Sequence, residues 1–421
     1  MQRNMLDRWR RQPAPGLYVV QNSFPLPGDV NPDLLEEAWR EVIRHHPILR
    51  TGFAWEGLDE PVQVVHRTVD LTIERLDWRH LEPERQRREL ESLFQAERAR
   101  GFDLGRPPLF RLFLIRMADD GYQFLKVDSY LLLDAWSEFL LRDRLLTVYQ
   151  ALERGERAAL EPGRPFRDYT VWARRQGGAE AFWRPRLEGL VPLSLTAGPH
   201  PLPEGEPWLA KQALRLPAEA TTALQERARH WQVTVGTVIQ AAWVLELARW
   251  TGRPDVVFGV TSSGRPPELA GIEGMTGLLI NTLPLRVQVP AEEELSQPEA
   301  WLHDLQDLQV EMRQHEHAPL PDLQRWASVG EEALLFESIL VFANYPVSPV
   351  LFELATRIGP GNVHALEDWS LAQTEFPLRV DVEPAAELSL GMTYHRNRFT
   401  DAEVAARLRS FADRLSALGK A

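Results

Sequence analysis

A proline- and glycine-rich stretch from Leu190 to Trp208 divides the 421-residue sequence into two halves. Proline and glycine interrupt both helices and strands, so a run of this composition is typical of a linker. On either side, short apolar runs suited to strands alternate with stretches of helical apolar spacing. The sequence therefore predicts an α/β protein with residues 1–180 in an N-terminal lobe, 181–208 as the linker and 209–421 in a C-terminal lobe.

The first half mixes amphipathic helices with strands. Apolar residues at helical spacing follow the start signal Asn31-Pro32-Asp33 and predict a helix over residues 33–46. Further helices are expected over residues 83–101, which are rich in charge, and from about 137 to 154. The predicted strands, of which the last is strongly apolar, cover residues 48–55, 62–74, 107–117 and 122–133.

The second half has the same mixed character without an obvious sequence repeat. Residues 218–251 predict two consecutive helices split near residues 233–235, and residues 402–418 predict a closing amphipathic helix. The predicted strands cover residues 256–261, 279–288, 336–343 and 387–395.

Charge and cysteine content exclude several classes of function. The chain has 47 basic and 60 acidic residues, a formal net charge of −13, which argues against nucleic acid or an anionic membrane as the main partner. It has no cysteine, so disulfides, thiolate nucleophiles and cysteine-ligated zinc are excluded. Neither a signal peptide nor an apolar run of roughly 18–20 residues is present, so we expect a cytoplasmic protein.

Histidine and glycine patterns elsewhere favour structural roles. His45 and His46 end a predicted helix, where a histidine interacts favourably with the helix dipole. His315 and His317 lack further metal ligands at suitable spacing, and the Gly264-Arg-Pro sequence does not have the spacing of a phosphate-binding loop. The sequence therefore predicts no metal site.

Five blocks, in order along the chain, resemble motifs of the condensation-domain superfamily of nonribosomal peptide synthetases. The first is His-Pro-Ile-Leu-Arg-Thr-Gly-Phe over residues 46–53, similar to the family's H-x-x-L-R-T-x-F. The third, Ser263-Gly-Arg-Pro through Asn281-Thr-Leu-Pro-Leu-Arg286, is similar to S-G-R-P…N-T-x-P-x-R. The other blocks are found at residues 166–172, 317–324 and 335–346.

This resemblance implies a particular fold and set of partners. The family has two chloramphenicol-acetyltransferase-like lobes arranged as a V-shaped pseudo-dimer around a central tunnel. Carrier proteins dock at its opposite mouths and present substrates on a phosphopantetheine arm, a visiting ligand, while no cofactor is bound directly. The block expected to line the tunnel supplies Ser263, Gly264, Arg265, Asn281 and Thr282. The family's N-terminal stretch is short here, which favours a domain excised from a larger synthetase.

The family's H-H-x-x-x-D-G motif is altered in this chain. Asp134-Ala-Trp-Ser137 resembles the D-G-x-S end of the motif, and counting back places Ser129 and Tyr130 at the two histidine positions, with Ala135 replacing the glycine. In the family, the second histidine assists attack of the acceptor amine on the donor thioester. An imidazole titrates near pH ~6.5 and accepts a proton at pH 7, whereas the reference pKa of tyrosine is about 10. We therefore expect no catalytic residue at this motif.

The remaining aspartate of the motif, Asp134, has a structural role in the resembled family, where it pairs with a buried arginine. Arg50 is the predicted partner here. Heterocyclization domains instead carry D-x-x-x-x-D-x-x-S, and Asp128 precedes Asp134 by six residues rather than five. A slip of one residue along a strand turns the side chain to the opposite face, so this alternative is disfavoured.

A kept scaffold with an altered motif predicts a noncatalytic domain that recruits a tailoring oxygenase to an aminoacyl or peptidyl carrier protein. Two such classes are known, the X-domain, which recruits cytochrome P450, and the interface domain, which recruits a non-haem iron β-hydroxylase in siderophore assembly. The residues Ser129 and Tyr130 do not match the usual H-R-x-x-x-D-D of X-domains. The alternative is an active condensation or ester-forming domain that relies on substrate positioning, because proximity alone accelerates amine attack on a thioester.

Overall fold

The computed structural model describes residues 1–11, 16–161, 163–196, 198–202, 208–330, 333–345, 371–372 and 374–420. The chain forms two compact units. The first comprises Met1–Arg174 together with two later segments, Arg265–Leu279 and Tyr345–Thr374, and the second comprises the remainder. The mixed α/β character predicted from the sequence is confirmed in both units.

The first unit contains a five-stranded sheet in the order β11-β1-β6-β5-β4. Strand β6 pairs antiparallel with β1 and β5, and β4 runs parallel to β5. A separate two-stranded sheet joins β2 to β3. The strands are β1 (Val19–Pro27), β2 (Thr51–Ala54), β3 (Val62–Val65), β4 (Ile73–Asp77), β5 (Phe110–Ala118), β6 (Gly121–Ser129) and β11 (Leu371–Ala372).

Helices pack against this sheet through the apolar faces that the sequence predicts. Trp39 is 3% exposed and stacks on Phe110 and Phe124, which attaches its helix to the two central strands β5 and β6. Burial of an aromatic ring of this size is a major contribution to core stability. Among the described residues of this unit, the helices are α1 (Gln2–Arg11), α2 (Pro32–His45), α3 (Pro83–Arg100), α4 (Ala135–Glu153) and α5 (Phe166–Arg175), with 3-10 turns at Pro47–Arg50 and Ile272–Gly274.

The second unit contains a six-stranded mixed sheet in the order β7-β13-β12-β10-β8-β9. Strand β10 runs parallel to β12 and β8, and the other pairs are antiparallel. Parallel pairs need crossover connections, and three helices between residues 292 and 326 lie on the connection from β8 to β10. The strands are β7 (Leu209–Arg215), β8 (Asp255–Ser262), β9 (Asn281–Gln288), β10 (Ser338–Phe342), β12 (Leu378–Glu383) and β13 (Ser389–His395).

The closing helix of the second unit is held by a buried carboxylate. Glu246 is completely buried, accepts a hydrogen bond from Ser410 Oγ at 2.8 Å and forms ion pairs with Arg407 at 3.5 Å and Arg414 at 3.7 Å. The helices of this unit are α6 (Ala179–Leu187), α7 (Ala218–His230), α8 (Val235–Thr251), α9 (Glu292–Leu295), α10 (Glu299–Gln314), α11 (Leu320–Trp326) and α12 (Asp401–Lys420). No helix in the described ranges is long and apolar enough to cross a membrane.

The structure divides the chain differently from the predicted boundaries of 1–180, 181–208 and 209–421. Residues in the first part of the predicted linker form α6, and Trp183 and Leu187 are each 1% exposed within the core of the second unit. Leu190, Leu193 and Leu195 are buried in the same core. Several leucines among the prolines thus pack against the second unit, so proline content alone misidentified this stretch as a linker.

Parts of two predictions fall on residues outside the described ranges. These are residues 197 and 203–207 of the predicted linker, and residue 346 at the end of the fifth motif block.

Candidate functional site

The altered motif lies at the junction between strand β6 and helix α4. The strand ends at Ser129, whose N–H donates to the Leu109 carbonyl at 3.0 Å. Tyr130 N–H donates to the Tyr18 carbonyl at 2.8 Å, and the chain then turns into α4 at Ala135. Both residues that replace the histidines are therefore fixed by backbone hydrogen bonds at the end of a buried strand.

Ser129 has the environment of a structural serine. It is 2% exposed, its Oγ accepts a hydrogen bond from Leu131 N–H at 3.4 Å, and its carbonyl accepts from Leu132 N–H at 3.0 Å. Serine becomes a nucleophile when an adjacent base removes its proton, and none of these contacts supplies one. Tyr130 is half-buried, and a phenol hydrogen-bonds a substrate better than it accepts a proton at neutral pH.

Asp134 is completely buried and caps helix α4. Its carboxylate accepts hydrogen bonds from the backbone N–H groups of Ser137 at 2.8 Å and Leu279 at 3.0 Å. It also pairs with Arg265, whose Nη1 lies 3.0 Å from Oδ2 and whose Nη2 lies 3.1 Å from Oδ1. This bidentate, charge-assisted geometry satisfies a buried charge that would otherwise be costly.

The predicted pairing of Asp134 with Arg50 is wrong. The Arg50 guanidinium donates instead to the backbone carbonyls of Ile43 at 3.1 Å, of Arg67 at 3.2 Å and of His66. Arg50 thus provides hydrogen-bond donors for backbone carbonyls at the end of α2 and in the chain that follows β3. The actual partner, Arg265, belongs to the segment Arg265–Leu279, which comes from the second half of the sequence but is part of the first unit.

The same segment binds the first turn of α4 through Ser137 and Gly277. Ser137 Oγ donates to the Gly277 carbonyl at 2.9 Å and accepts from Gly277 N–H at 3.0 Å. A Cβ atom on Gly277 would overlap the ring of Phe166, so only glycine fits between Phe166 and α4. We refer to Asp134, Ser137, Arg265 and Gly277 as the Asp134 lock.

The loss of the motif glycine at Ala135 has a simple structural explanation. Ala135 is the first residue of helix α4, and it is not among the residues with a positive φ angle. Alanine has the highest helix propensity of the residues, so nothing at this position requires glycine. Its replacement is therefore compatible with an undisturbed turn.

A buried charge network lies beside the motif on β6 and α4. Lys126 Nζ donates to Asp128 Oδ1 at 2.7 Å and to Glu138 Oε1 at 2.6 Å. Burial raises the pKa of Asp128 to about 7, because the nearby Lys126 ammonium offsets only part of the desolvation. Burial also disfavours the Lys126 ammonium, but the charges of Asp128 and Glu138 outweigh it and raise the pKa of Lys126. Asp128 is thus held by Lys126.

This network was not predicted from the sequence. Lys126 and Asp128 are two residues apart on one strand, so their side chains face the same side of the sheet. Glu138 is in the first turn of the next helix. Charged residues of opposite sign inside an apolar strand were the signal that could have found it, because a buried charge is found almost always with a partner.

His46, unlike its neighbour His45, is buried in this unit. It is 5% exposed, and its Nδ1 shares a hydrogen bond with Thr276 Oγ1 at 3.1 Å. Burial, assisted by Arg144 and His45, lowers the pKa of His46 to about 4, so its imidazole is neutral at pH 7. His45 instead contacts Glu41 on its own helix at 2.9 Å, as expected for a residue at a helix end.

The predicted tunnel block divides between the two units. Arg265 is part of the Asp134 lock in the first unit, whereas Ser263, Gly264, Asn281 and Thr282 belong to the second. Asn281 is 4% exposed and donates from Nδ2 to the carbonyls of Glu316 at 2.8 Å and Ala318 at 2.6 Å. Its Oδ1 accepts from Thr282 N–H at 3.0 Å. These contacts give Asn281 a structural function at the start of β9, and a tunnel-lining role for this block stays a prediction.

Contacts around residues 315–317 do not form a metal site. His315 stacks on Phe182 at 4.3 Å between ring centroids, and Glu316 accepts a hydrogen bond from Ser262 Oγ. Burial is the main cause that lowers the pKa of both His315 and His317. Within the described residues, no group of three histidine or acidic side chains could hold a metal ion.

Comparison with protein families and curated proteins identifies one consistent set of relatives. A family model described as "Condensation domain" matches residues 1–420. A linear gramicidin synthase chain of Brevibacillus parabrevis is 39% identical over 397 residues, which are 92% of this chain and 5% of that protein. A second chain of the same synthase is 41% identical over 403 residues, 95% of this chain and 8% of that protein. The chain therefore spans only a small part of the curated relatives it matches.

Solved structures match the fold over nearly the whole chain. A variant of the starter condensation domain of rhizomide synthetase, solved with C8-CoA and Leu-SNAC, has a TM-score of 0.80 at 19% identity. It covers 100% of this chain and 93% of the solved one. The first condensation domain of the CDA synthetase has a TM-score of 0.79 at 18% identity, covering 99% and 94%. At these identities the comparison establishes the fold alone.

Proposed function

Because the chain belongs to the condensation-domain family of nonribosomal peptide synthetases, we propose that it is a noncatalytic member that recruits a tailoring oxygenase to a carrier-bound substrate. The recruited enzyme is a non-haem iron β-hydroxylase or a cytochrome P450, as for interface domains and X-domains respectively. One observation carries the proposal, namely that Ser129 and Tyr130 occupy the positions of the motif histidines.

The chemistry of these two residues supports the absence of catalysis. A serine buried in a backbone turn and a tyrosine, whose reference pKa is about 10, are poor acceptors of the amine proton at pH 7. The Lys126 ammonium and its two carboxylates are buried in their own network beside the motif. General acid–base catalysis typically contributes ~10²–10⁴-fold to a reaction rate. Without a base at this position, the site loses that part of the rate acceleration.

The Asp134 lock supports the second half of the proposal, retention of the scaffold. Removing one member of a buried ion pair leaves an uncompensated charge and costs about 3–5 kcal/mol. Asp134 and Arg265 remain bidentate, and Ser137 and Gly277 remain bonded. An intact scaffold without the catalytic pair suits a binding platform, with a carrier protein and its phosphopantetheine arm as visitors and no cofactor of its own.

An amide-forming assay with two loaded carrier proteins tests the proposed lack of catalysis. We expect no peptide above the background of unassisted aminolysis, and the same yield from Tyr130→Phe. Robust turnover that Tyr130→Phe abolishes would contradict the proposal and would favour the alternative, an active condensation domain that depends on positioning. The control is Ser129→His combined with Tyr130→His, which restores both histidines of the family motif and is expected to gain activity.

A binding assay tests recruitment directly. Purified oxygenases encoded beside the synthetase are titrated onto the immobilised chain, alone and with a loaded carrier protein present. Saturable binding of one oxygenase, and hydroxylation of the carrier-bound substrate that depends on this chain, are the expected results. If every oxygenase fails to bind and hydroxylation proceeds equally without the chain, recruitment is excluded.

A further inference from the structure

The first unit contains an open groove that is separate from the altered motif, since none of residues 129–135 lines it. It has a volume of about 550 Å³ and lies among helix α1, the β2–β3 hairpin and helix α5. We call it the arginine groove, because its rim carries Arg3, Arg164, Arg167 and Arg174. Its apolar lining includes Leu6, Ile48, Phe53, Phe166 and Val171.

The rim arginines are only partly neutralised by carboxylates. Arg3 and Arg174 share Glu60, each at 3.3 Å, and Arg3 also lies 3.9 Å from Asp7. Arg164 pairs at 2.9 Å with an aspartate one helical turn further along the chain. These side chains are all at least one-third exposed, so water screens the pairs and leaves the guanidinium groups accessible.

The charge of the groove lining differs in sign from that of the whole chain. Among the described residues that line the groove, four arginines accompany a single acidic residue, Glu60. Arg167 is exposed, and its guanidinium has no hydrogen bond or ion pair with the described part of the chain. This local excess of positive charge occurs on a chain of net charge −13 and favours an acidic partner.

Strand β3 gives the groove an apolar edge. Val62, Val64 and Val65 are 45%, 42% and 53% exposed, although β-branched residues in strands normally pack against neighbours. The strand pairs with β2 on one side, and no strand of the described part pairs with its other side. An exposed, apolar strand edge is a ready site for the addition of another strand, because its backbone N–H and C=O groups have no ladder partner.

We propose that the arginine groove docks an extended acidic segment of the recruited protein, with glutamate or aspartate alternating with apolar residues. This inference rests on the proposed recruitment function and specifies its surface. The segment lies along β3, its apolar side chains enter the groove, and its carboxylates meet Arg167 and Arg174. Alternation is required because side chains of a strand point to opposite faces at every second residue.

A peptide tests the groove without reference to any oxygenase. The probe is a fluorescein-labelled hexapeptide of alternating leucine and glutamate, titrated by fluorescence anisotropy. Saturable binding that weakens with added salt is expected, and Arg167→Glu with Arg174→Glu should weaken it roughly tenfold or more. The matched control is Arg85→Glu with Arg88→Glu on α3, which makes the same change of net charge at side chains that are 57% and 61% exposed.

The apolar edge has its own pair of variants. Val62→Ser with Val65→Ser removes apolar contact without changing charge and should weaken peptide binding several-fold. Leu58→Ser is the control, because Leu58 is similarly exposed at 48% but does not line the groove. These positions are exposed, and a thermal melt of each variant verifies that it remains folded. A hexapeptide that does not bind, or that binds the groove and α3 variants equally, overturns the inference.

The same variants distinguish a failure of the groove inference from a failure of the proposed recruitment function. If an oxygenase binds the unaltered chain and the groove variants weaken that binding, the inference is supported. Oxygenase binding that the groove variants leave unchanged overturns the inference and leaves recruitment intact. Peptide binding at the groove with no oxygenase bound contradicts recruitment, while the acidic specificity of the groove stands.

Discussion

Arg265 and Asp134 are 131 residues apart in the sequence, yet the guanidinium of one forms two hydrogen bonds with the carboxylate of the other, at 3.0 and 3.1 Å. Their side chains are 3% and 0% exposed. The pair joins the start of α4 to a segment from the second half of the chain, so it connects the altered motif to the long-range fold of the first unit.

The first prediction concerns the stability of this pair. Arg265→Met leaves the Asp134 carboxylate buried without its cation and should lower the free energy of unfolding by about 3–5 kcal/mol. Urea denaturation of Arg265→Met, of Asp134→Asn and of the double variant measures the coupling. We expect the double variant to lose clearly less than the sum of the two single losses. If the double variant instead lost as much unfolding free energy as the two single variants together, the two side chains would not interact.

The second prediction uses Arg50, the partner predicted from the sequence, as a comparison. Arg50→Met removes hydrogen bonds to three backbone carbonyls and should destabilise the chain by about 1–3 kcal/mol. Its effect should add to that of Asp134→Asn within about 0.5 kcal/mol, because the two residues share no contact. A large coupling between them would contradict the structure.

The third prediction concerns acid stability and His46. Its pKa is about 4 in the folded chain against an ordinary value of 6.5, so the folded chain keeps His46 neutral where the unfolded chain protonates it. The contribution is present above pH 6.5 and is lost as the pH falls through 4, with a magnitude of about 3 kcal/mol. His46→Gln should therefore reduce the fall in unfolding free energy between pH 6.5 and pH 4. Urea denaturation at several pH values measures this slope, and an unchanged slope would contradict the lowered pKa.

The fourth prediction has the opposite sign and concerns Asp128. Its pKa is about 7 in the folded chain against an ordinary value of 3.8, so the folded chain binds the extra proton between these values. The stabilising contribution is complete below pH 3.8 and is lost as the pH rises through 7. Asp128→Asn cannot titrate, so its stability relative to the unaltered chain should increase from pH 4 to pH 8. Guanidinium denaturation across that range measures the difference, and a constant difference would refute the raised pKa.

The fifth prediction concerns the second unit. Glu246→Leu leaves Arg407 and Arg414 without their buried carboxylate and should detach α12 locally. Faster amide hydrogen exchange in α12 is expected, with a loss of about 2–4 kcal/mol in unfolding free energy. Asp413→Leu on the same helix is the control, because it also removes one carboxylate from α12 but at an exposed position. Equal exchange in both variants would be inconsistent with an anchoring role for Glu246.

The predicted helices and several of the predicted strands are confirmed. Most of them could be predicted because their apolar residues recur with the period of a helix or of a strand. The predicted helix over residues 83–101 is α3 at Pro83–Arg100, and the predicted split near residues 233–235 separates α7 from α8. Strand β1, which lies between two others in its sheet, was not predicted, and its two prolines, Pro25 and Pro27, are uncommon inside such a strand.

Two of the predicted strands differ from the observed elements. The predicted strand over residues 48–55 begins as the 3-10 turn Pro47–Arg50, because Pro47 fixes the backbone angle at its first position. The predicted strand over residues 62–74 is instead two short strands, β3 and β4, in different sheets. An apolar run alone does not reveal where a chain leaves one sheet for another.

The candidate site was predictable only where it depends on local order in the sequence. The spacing from Asp134 assigned Ser129 and Tyr130 to the two histidine positions, whereas the predicted strand over residues 122–133 ends earlier in the structure, at Ser129. The partner of Asp134 was not predictable from spacing, because any buried arginine satisfies a carboxylate and the choice depends on which segments of the chain meet. The Lys126 network was missed for a related reason. A charged side chain needs a partner of opposite charge only if it is buried, and the sequence alone did not show that these side chains are buried.

The return of Arg265–Leu279 to the first unit has a practical consequence for recombining synthetases. A breakpoint in the proline-rich stretch between Leu190 and Trp208 would transplant Asp134 and Ser137 but leave Arg265 and Gly277 with the parent. The stability of such a chimera depends on whether the recipient has an arginine and a glycine at the positions of Arg265 and Gly277. Exchange of the complete domain keeps both halves of the lock together.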